Sequence, residues 1–333
     1  MRHLRYPKLI NWHNLKSKEL PKVLGDKWDN RWEVTEKIHG SNFSFQWVGR
    51  GPICLASRNQ FVERNFFGAG ELLDPKGELC ASVARLRADP ELNRHHAITE
   101  DLATGLYGEL FGDGIQRGVE YPPGKHFRAF DIVVQRGEGL KYPLPRASFY
   151  SLCERHGVPT VPLIQVGTFD EVIRRPPDLP TLTHASQSIM EGIVVRPSRV
   201  VYYWDEPLII KVKSKAFLEM KPKATSHNLI ASDQRVAAAI NNAKIYLTRT
   251  RMDNVLSKYQ LSENEGPNFK VWMRRLVADA LNEYDTDLRF NEEPSVFGFD
   301  NKQKVQVEKG LSRAAAPLVR QALQDRGVLG PQN

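Results

Sequence analysis

Lysine and glycine at the spacing Lys-x-x-Gly occur twice in the first forty residues, at 22–25 and at 37–40 within the segment EKIHG. The spacing alone indicates only a surface lysine beside a turn. The second lysine differs from the first because charged, aromatic and glycine-containing segments follow it. These segments are Arg58, Tyr107–Gly112, Phe130–Asp131, Glu191–Arg196 and Ile210–Lys213. Lys37 is therefore the candidate for covalent chemistry.

These residue types suit nucleophilic attack on a phosphate. A lysine attacks as the neutral amine, and an ordinary lysine has a pKa of about 10.4, so nearby positive charge, such as that of Arg58, favours the reactive form. Lys211 and Lys213 alternate on a predicted strand, so both leave one face, where an anion would relieve their repulsion. Glu109 and Glu191 suit a hydrated Mg²⁺, which keeps most of its waters. The pattern suits transfer of a phosphate-containing group, in which the protein acts by positioning the reactants and stabilising charge.

The composition indicates a folded chain with an anionic partner. Of the 333 residues, 41% are apolar and 26% charged, which fits a sizeable core and argues against wholesale disorder. The net charge of +8 suits a polyanion, because Lys and Arg replace the counterions of phosphates. A solvated basic surface would give the same charge.

The cysteines and the lengths of the apolar runs indicate the cellular compartment of the protein. Cys54, Cys80 and Cys153 have neither a disulfide pattern nor zinc spacing, so they read as core thiols of a reducing compartment. The first residues lack the apolar stretch of a signal peptide, and no apolar run approaches the ~20 residues of a membrane helix. We expect a soluble, cytoplasmic protein without membrane contact.

The first part of the chain has mainly strand-like patterns, and the last part is helical in character. Over 42–48, Phe43, Phe45 and Trp47 fall on one face of a predicted strand. Further strands are predicted at 127–134, 191–196 and 207–212, with helices at 147–156 and 168–175. From about residue 225 the sequence is rich in good helix formers, and helices are predicted over 232–259, 268–284 and 302–326.

We therefore predict an α+β fold, with a mixed domain over residues 1–225, a small all-α domain over 226–333 and a hinge near 221–227. Several basic residues of the second domain are candidate phosphate contacts, although acids there nearly balance them and an ordinary solvated face explains them as well. These residues are Lys244, Arg249, Arg251, Arg274 and Arg275.

In their order and spacing, the segments resemble the six motifs of the covalent nucleotidyltransferases, which include polynucleotide ligases and messenger-RNA capping enzymes. The segment EKIHGSNFS over 36–44 is similar to the RNA ligase 2 family, a group of nick-sealing ligases that includes a phage enzyme and the kinetoplastid RNA-editing ligases. DNA ligases and capping enzymes usually have Asp in place of His39 and continue into an OB-fold of short strands. The helical tail instead agrees with the RNA ligase 2 family. The resemblance covers most of the first 215 residues.

The resemblance implies an ATP-dependent RNA ligase, built from an ATP-grasp-like antiparallel-sheet nucleotidyltransferase domain and a helical domain that aids RNA engagement. Lys37 would carry AMP, with Mg²⁺ or Mn²⁺ as the metal. RNA 3′-hydroxyl and 5′-phosphate ends would be joined, at nicks in duplex RNA and by a monomer. RNA repair would be the setting.

The resemblance also implies roles for individual residues. Glu36 would accept a hydrogen bond from the adenine amino group, Phe130 would stack on adenine and Ile38 would line the pocket. His39 would assist adenylation of the lysine, and Asn42 would aid the RNA steps. The nucleotide-binding set is completed by Lys37, Arg58, Glu109, Glu191, Lys211 and Lys213.

Alternatives remain for some of these residues. Glu109 could accept from a ribose hydroxyl instead of serving the metal, and Arg58 suits either the RNA 5′-phosphate or a nucleotide phosphate. Phe130 could be a core residue of its strand, Asn42 a turn residue, and the role of Asp131 is open. For the whole chain the competing readings are a DNA ligase, a capping guanylyltransferase and a basic RNA-binding module without turnover.

Overall fold

A computed structural model gives the fold and the side-chain contacts. It describes residues 2–12, 15, 20, 24–25, 31–95, 102–116, 118–136, 139, 141–184, 187–203, 206–217, 234–259, 268–290 and 298–329. The chain divides into two compact units, residues 1–217 and 218–333. The predicted boundary at residue 225, the predicted hinge over 221–227 and Lys22 lie outside the described residues.

Antiparallel strands dominate the first unit, so the predicted α+β class is confirmed. Its strands are β1 (Ile10–Asn11), β2 (Trp32–Lys37), β3 (Ser41–Val48), β4 (Cys54–Ser57), β5 (Leu102–Gly112), β6 (Lys125–Arg136), β7 (Lys141–Pro143), β8 (Leu163–Gly167), β9 (Gly192–Pro197), β10 (Tyr202–Tyr203), β11 (Glu206–Pro207) and β12 (Ile210–Lys213). Its helices are α1 (Glu78–Ala88), α2 (Pro90–His95), α3 (Arg146–His156) and α4 (Phe169–Ile173).

Two five-stranded sheets build this unit. One has the strand order β1-β12-β9-β2-β8 and the other the order β4-β3-β5-β6-β7, while β10 and β11 form a separate pair. The pair β1–β12 is parallel and the other pairings are antiparallel. The predicted strand over 207–212 is wrong in one respect, because it forms parts of two strands separated by Leu208 and Ile209.

The aromatic face of β3 forms the main core. Phe43, Phe45 and Trp47 are at most 1% exposed and share one cluster with Val83 of α1 and Phe149 of α3. The predicted alternation of this strand is thereby confirmed. Burial of aromatic rings on one face of the sheet leaves the other face to polar residues.

The N-terminal segment contacts both sheets. Leu4 exchanges two backbone hydrogen bonds with the Gln46 amide, at 2.9 and 2.8 Å, and its carbonyl also accepts from the Tyr107 hydroxyl. Leu4 and Tyr6 share an apolar cluster with Tyr107 of one sheet and Ile209 beside the other. No pattern in the sequence predicted this arrangement.

The second unit is helical, as predicted. Its helices are α5 (Gln234–Ala243), α6 (Arg249–Lys258), α7 (Phe269–Phe290) and α8 (Asn301–Gln324), and they share one apolar core. The single helix predicted over 232–259 is wrong, because a 3₁₀ turn at Lys244–Tyr246 separates α5 from α6. Thr248 begins α6, since its side chain accepts from the Arg251 backbone N–H. Across the described parts of the chain, every helix is too short or too polar to cross a membrane.

Candidate active site

Three neighbouring strands place two lysines on either side of a glycine. Gly192 of β9 pairs with Lys37 of β2 and with Lys213 of β12. Directly paired residues project from the same face of a sheet, so both lysine side chains leave this face with no side chain between them. A Cβ on Gly192 would lie 2.1 Å from the Val212 carbonyl oxygen, so glycine is required there. Lys211 leaves the same face one row further along β12.

Glu191 lies at the centre of the candidate site. Its Oε2 is 2.7 Å from Lys37 Nζ and 3.1 Å from His39 Nδ1. Burial disfavours the charged form of this 6% exposed residue, but Lys37, the His39 contact and the charge of Lys213 together hold the pKa of Glu191 well below its usual range. Glu191 is therefore an ionised carboxylate beside the candidate nucleophile.

Glu109 enters the same space from the second sheet. Burial raises the pKa of Glu109 to about 8, and the charge of Glu191 adds to this rise, whereas Lys37, the Gly40 backbone N–H and Arg58 oppose it. Gly40 fits only without a side chain, because a Cβ would lie 2.3 Å from the Leu110 carbonyl oxygen. Arg58 itself is exposed just after β4.

Two carboxylates, one buried and one partly buried, that are close enough to repel each other fit a divalent cation. Among the described residues no third His, Cys, Asp or Glu joins Glu109 and Glu191 in a metal-binding group. A cation at this place would therefore keep most of its coordination sphere for water and phosphate oxygens, as Mg²⁺ does. The predicted residues Lys37, His39, Arg58, Glu109, Glu191 and Lys213 lie within one electrostatic neighbourhood.

His39 is held by two residues that the sequence did not single out. Its backbone N–H donates to the Tyr121 hydroxyl at 2.7 Å, and its ring meets Phe217 edge-on with centroids 4.8 Å apart. Burial raises the pKa of Tyr121, and the charges of Glu36, Glu191 and Glu109 raise it further. The phenol therefore remains protonated beside the acids of the site. In the sequence Tyr121 reads only as a residue of a proline-rich loop.

Glu36 is 1% exposed and both carboxylate oxygens accept hydrogen bonds from the chain. The Thr181 hydroxyl donates to Oε1 at 2.6 Å and the Leu182 backbone N–H donates to Oε2 at 2.8 Å. Burial raises the pKa of Glu36, while these two donors and the charge of Arg128 oppose the rise. The contacts of Thr181 and Leu182 could not be predicted from the sequence, because nothing in a threonine-containing loop indicates a partner 145 residues away.

Phe130, the residue predicted to stack on adenine, lies in β6. Its partly buried ring packs with Ile38 and Tyr121 in one apolar cluster and meets Tyr6 edge-on with centroids 4.9 Å apart. Both the stacking role and the core role remain compatible with this position.

Asn42 lies inside β3, opposite Glu109 of β5, so the interpretation of it as a turn residue is wrong. Its Oδ1 is buried and has no hydrogen-bond partner among the described residues. A buried acceptor without a partner costs free energy, so it favours a donor supplied by a ligand or by water.

Asp131 belongs to a second group of charges, which we name the paired cluster: Glu33, Asp131, Arg146 and Arg196. Arg196 Nη1 lies 2.9 Å from Asp131 Oδ2, Arg146 Nε contacts Glu33 Oε1, and Arg146 Nη1 lies 3.8 Å from Asp131 Oδ1. Both arginines also donate to the Phe130 carbonyl, at 2.8 and 3.1 Å. The paired cluster therefore fixes the backbone of Phe130.

Some of the candidate phosphate contacts of the helical unit have acidic partners. Arg249 lies 3.0 Å from Asp253 and 2.6 Å from Asp325, and Arg251 lies 2.7 Å from Asp279. The Arg275 guanidinium lies 4.5 Å from the Tyr259 ring centroid. Their role toward RNA stays a prediction.

Comparison with known proteins finds a family whose sequence model matches the chain. The sequence model of the family described as RNA ligase matches residues 30–213, more than half of the chain and the part that holds Lys37, Glu109, Glu191 and Lys213. Solved structures of an RNA ligase from Naegleria gruberi are similar to the chain. A mutant with ATP and Mn is 21% identical over 66% of this chain and 59% of its own, with a TM-score of 0.48. The enzyme with pyrophosphate is 21% identical over 65% and 57%, with a TM-score of 0.47.

The chain thus spans less than two thirds of the length of those ligases. The matched segment of the family model contains the predicted motifs from the EKIHG segment to Lys213, in the order expected. The expectation drawn from these motifs is confirmed: the chain belongs to the RNA ligase family.

Proposed function

We propose that the chain is an ATP-dependent RNA ligase that joins 3′-hydroxyl and 5′-phosphate ends through lysyl-AMP and RNA-adenylate intermediates. The observation that carries the proposal is the position of the Lys37 amine. It lies 2.7 Å from Glu191, across Gly192 from Lys213, and within the electrostatic reach of Glu109. An amine, a second cation and two acids around one space suit a nucleotide phosphate.

In the first step, Lys37 Nζ attacks the α-phosphorus of ATP. A nitrogen–phosphorus bond forms, the bond from the α-phosphorus to the bridging oxygen breaks, and pyrophosphate leaves with its electron pair. A lysine attacks as the neutral amine, so Lys37 must leave its contact with Glu191, 2.7 Å away, before it attacks. Lys211 and Lys213 would hold the negative oxygens that develop in transfer.

Glu109 and Glu191 would hold a divalent cation, Mg²⁺ or Mn²⁺. When bound, the cation supplies positive charge that shields the phosphates from the attacking group. Glu191 also contacts the Lys37 amine, so the same carboxylate would serve both the nucleophile and the cation. Glu109, whose pKa burial raises to about 8, would be the second carboxylate ligand.

The later steps reuse the same groups. An oxygen of the RNA 5′-phosphate attacks the phosphorus of lysyl-AMP, the nitrogen–phosphorus bond breaks, and Lys37 regains a proton. A 3′-hydroxyl then attacks the activated 5′-phosphorus, AMP leaves, and the hydroxyl proton is lost to solvent. Arg58, exposed beside the site, suits the 5′-phosphate. Asn42, with its unpaired Oδ1, suits an RNA or water donor.

The finer points of the proposal concern substrate and setting. We take nicked duplex RNA as the substrate, a monomer as the active form, the helical unit as the part that aids RNA engagement, and RNA repair in the cytoplasm as the setting. The three thiols Cys54, Cys80 and Cys153 are unpaired, which fits a reducing compartment.

The test is an intact-mass measurement after incubation with Mg²⁺ and either ATP or GTP. We expect one adenylyl group on the protein with ATP, none on Lys37→Ala, and wild-type labelling of Lys22→Ala, the other Lys-x-x-Gly lysine. Labelling by GTP alone would favour a capping guanylyltransferase. A wild-type chain that never gains a nucleotide would favour a binding module.

Sealing of matched substrates tests the acceptor. Nicked duplex RNA, nicked duplex DNA and single-stranded RNA are compared at equal concentrations of 5′-phosphate ends. We expect the nicked RNA duplex to be sealed fastest. Equal or faster sealing of the DNA nick would assign the chain to DNA ligation.

A further inference from the structure

Positive charge is distributed unevenly over the helical unit. Helix α7 contains four Lys or Arg and four Asp or Glu, so its charges balance. Helix α8 contains five Lys or Arg and one acid, Glu308, which leaves a formal charge of +4. The near balance of acids and bases in the helical part of the sequence therefore does not extend to α8, which is strongly basic.

Four of the α8 cations lie in a row along one side of the helix. At 3.6 residues per turn, positions 302, 309, 313 and 320 differ in direction by no more than about 40°. At a rise of 1.5 Å per residue, these positions extend over about 27 Å of the helix. We name this set the α8 row, and its members are Lys302, Lys309, Arg313 and Arg320.

The packing of α8 explains why the α8 row faces solvent. Val307, Leu311 and Val319 are at most 3% exposed and belong to the apolar core that the helices of this unit share. These side chains leave the helix on the side opposite to the α8 row, so each of its four members is exposed. Glu308 points at least about 100° away from every member, and it therefore does not interrupt the row.

No member of the α8 row has an acidic partner among the described residues. Arg320 Cζ lies 5.8 Å from the Phe269 ring centroid, and this contact leaves the charge of Arg320 in place. Arg249 and Arg251, which the sequence suggested as phosphate contacts, lie instead within ion-pair distance of aspartates. Four like charges in a row repel one another, so a polyanion that binds there lowers the free energy of the protein.

Resting on the proposed function, we propose that the α8 row binds the phosphate backbone of the RNA substrate and holds the RNA on the enzyme. Cations that meet phosphate oxygens release condensed counterions, which supplies affinity without reading the base sequence. A membrane of acidic lipids is the other polyanion that suits a basic helix. Such a helix inserts an apolar face into the lipid, whereas the apolar face of α8 is buried in the core.

The experiment compares two variants of the full chain that lose the same amount of positive charge. Equilibrium binding of nicked duplex RNA is measured without ATP at several salt concentrations. The row variant is Lys302→Gln/Lys309→Gln/Arg313→Gln/Arg320→Gln. The control variant removes four exposed cations of the first unit, and it is Arg50→Gln/Lys76→Gln/Arg174→Gln/Arg175→Gln.

The expected result is a change in the salt dependence of binding. Loss of four phosphate contacts should lower the slope of log affinity against log salt concentration by about 3 in the row variant. The affinity at 0.1 M salt should fall at least about tenfold. The control variant should keep a slope close to that of the wild type. The charge-keeping variant Lys302→Arg/Lys309→Arg/Arg313→Lys/Arg320→Lys should bind as the wild type does.

An unchanged slope in the row variant would overturn the proposal, as would an equal loss of slope in the row and control variants. Lost binding to phosphatidylserine vesicles with unchanged RNA binding would assign the α8 row to a membrane instead. If the row variant does not fold, the variants Lys302→Gln/Lys309→Gln and Arg313→Gln/Arg320→Gln should each lower the slope by roughly half as much.

Formation of the AMP adduct separates this proposal from the proposed function. The reaction of Lys37 with ATP needs no RNA, so the row variant should gain AMP at the wild-type rate, which also shows that it is folded. A row variant that loses the adduct together with RNA binding would overturn the proposal. The expected change in slope without any adduct on the wild type would overturn the proposed function alone.

Discussion

Two groups of charges lie in the first unit, one buried and the other partly buried, and they differ in how completely their charges are paired. In the paired cluster each acid has an arginine within ion-pair distance, and both arginines also donate to the Phe130 carbonyl. In the site cluster, by which we mean Lys37, Glu109, Glu191 and Lys213, Glu191 has Lys37 and His39 but Glu109 has no ion-pair partner among the described residues.

This difference distinguishes the charges that stabilise the fold from the charges that can take part in a reaction. A buried charge whose partners are all present favours one conformation. A buried charge that lacks a partner raises the free energy of the protein, and a ligand that supplies the partner lowers it. Burial raises the pKa of Asp131 as well as that of Glu109, which it raises to about 8, but at Asp131 two arginines within ion-pair distance oppose the rise, and Glu109 has no such partner among the described residues. We therefore expect changes in the site cluster to affect reactivity and changes in the paired cluster to affect stability.

The largest effect is expected for Glu191→Gln. It removes the Lys37 partner and one candidate metal ligand, so adduct formation should fall at least about a hundredfold. The free energy of unfolding should fall less than for a variant of the paired cluster, because relief of the repulsion of Glu109 offsets part of the lost ion pair. Rates from intact-mass time courses and urea denaturation measure the two quantities. A stable, fully active variant would remove the distinction between the clusters.

The complementary change is Arg146→Met in the paired cluster. It removes one of the two arginine partners of Glu33 and Asp131, a side chain that is 4% exposed, and leaves only Arg196 to pair with both acids, so the free energy of unfolding should fall by about 3–5 kcal/mol. The double variant Glu33→Gln/Arg146→Met should regain part of this loss, because one of the stranded charges is gone. Urea denaturation of the single and double variants is the measurement. Wild-type stability of Arg146→Met would contradict the account.

A smaller effect is expected at the edge of the site cluster, for Tyr121→Phe. The His39 backbone N–H loses the acceptor 2.7 Å away, which should slow adduct formation about tenfold with only a small loss of stability. Tyr142→Phe is the control, since Tyr142 is 45% exposed. Equal rates for the two variants would show that Tyr121 does not position His39.

The smallest effect is a pH dependence at Asp89, a paired acid away from both clusters. Burial opposes its charge, but His156 at 2.6 Å, the backbone N–H groups of Leu92 and Glu91, and Arg155 lower the pKa of Asp89 to about 2. A lowered pKa gives stability that is present above the ordinary value of 3.8 and is lost as pH falls toward 2. The difference in unfolding free energy between wild type and Asp89→Asn should therefore be constant at neutral pH and shrink below pH 4. A constant difference down to pH 2 would contradict this assignment.

The order of the motifs made much of the site predictable. Lys37, Glu191 and Lys213 could be expected to lie close together, because each belongs to a short motif on or beside a predicted strand and neighbouring strands pair in a fixed register. The aromatic face of β3 could be predicted from the alternation of its residues alone. The contacts of His39 and Glu36 could not be predicted, because Tyr121, Phe217 and Thr181 lie in loops or turns whose paths depend on tertiary packing. The break between α5 and α6 was missed because good helix formers continue across it.

The central claim is that the amine of Lys37 is the group that carries AMP. The direct measurement is proteolytic mapping of the wild-type chain after incubation with ATP and Mg²⁺, with the modified residue located by fragmentation mass spectrometry. The account predicts a single adenylylated peptide, with the modification on Lys37. An adenylyl group on Lys22, Lys211 or another residue, with Lys37 unmodified, would contradict it.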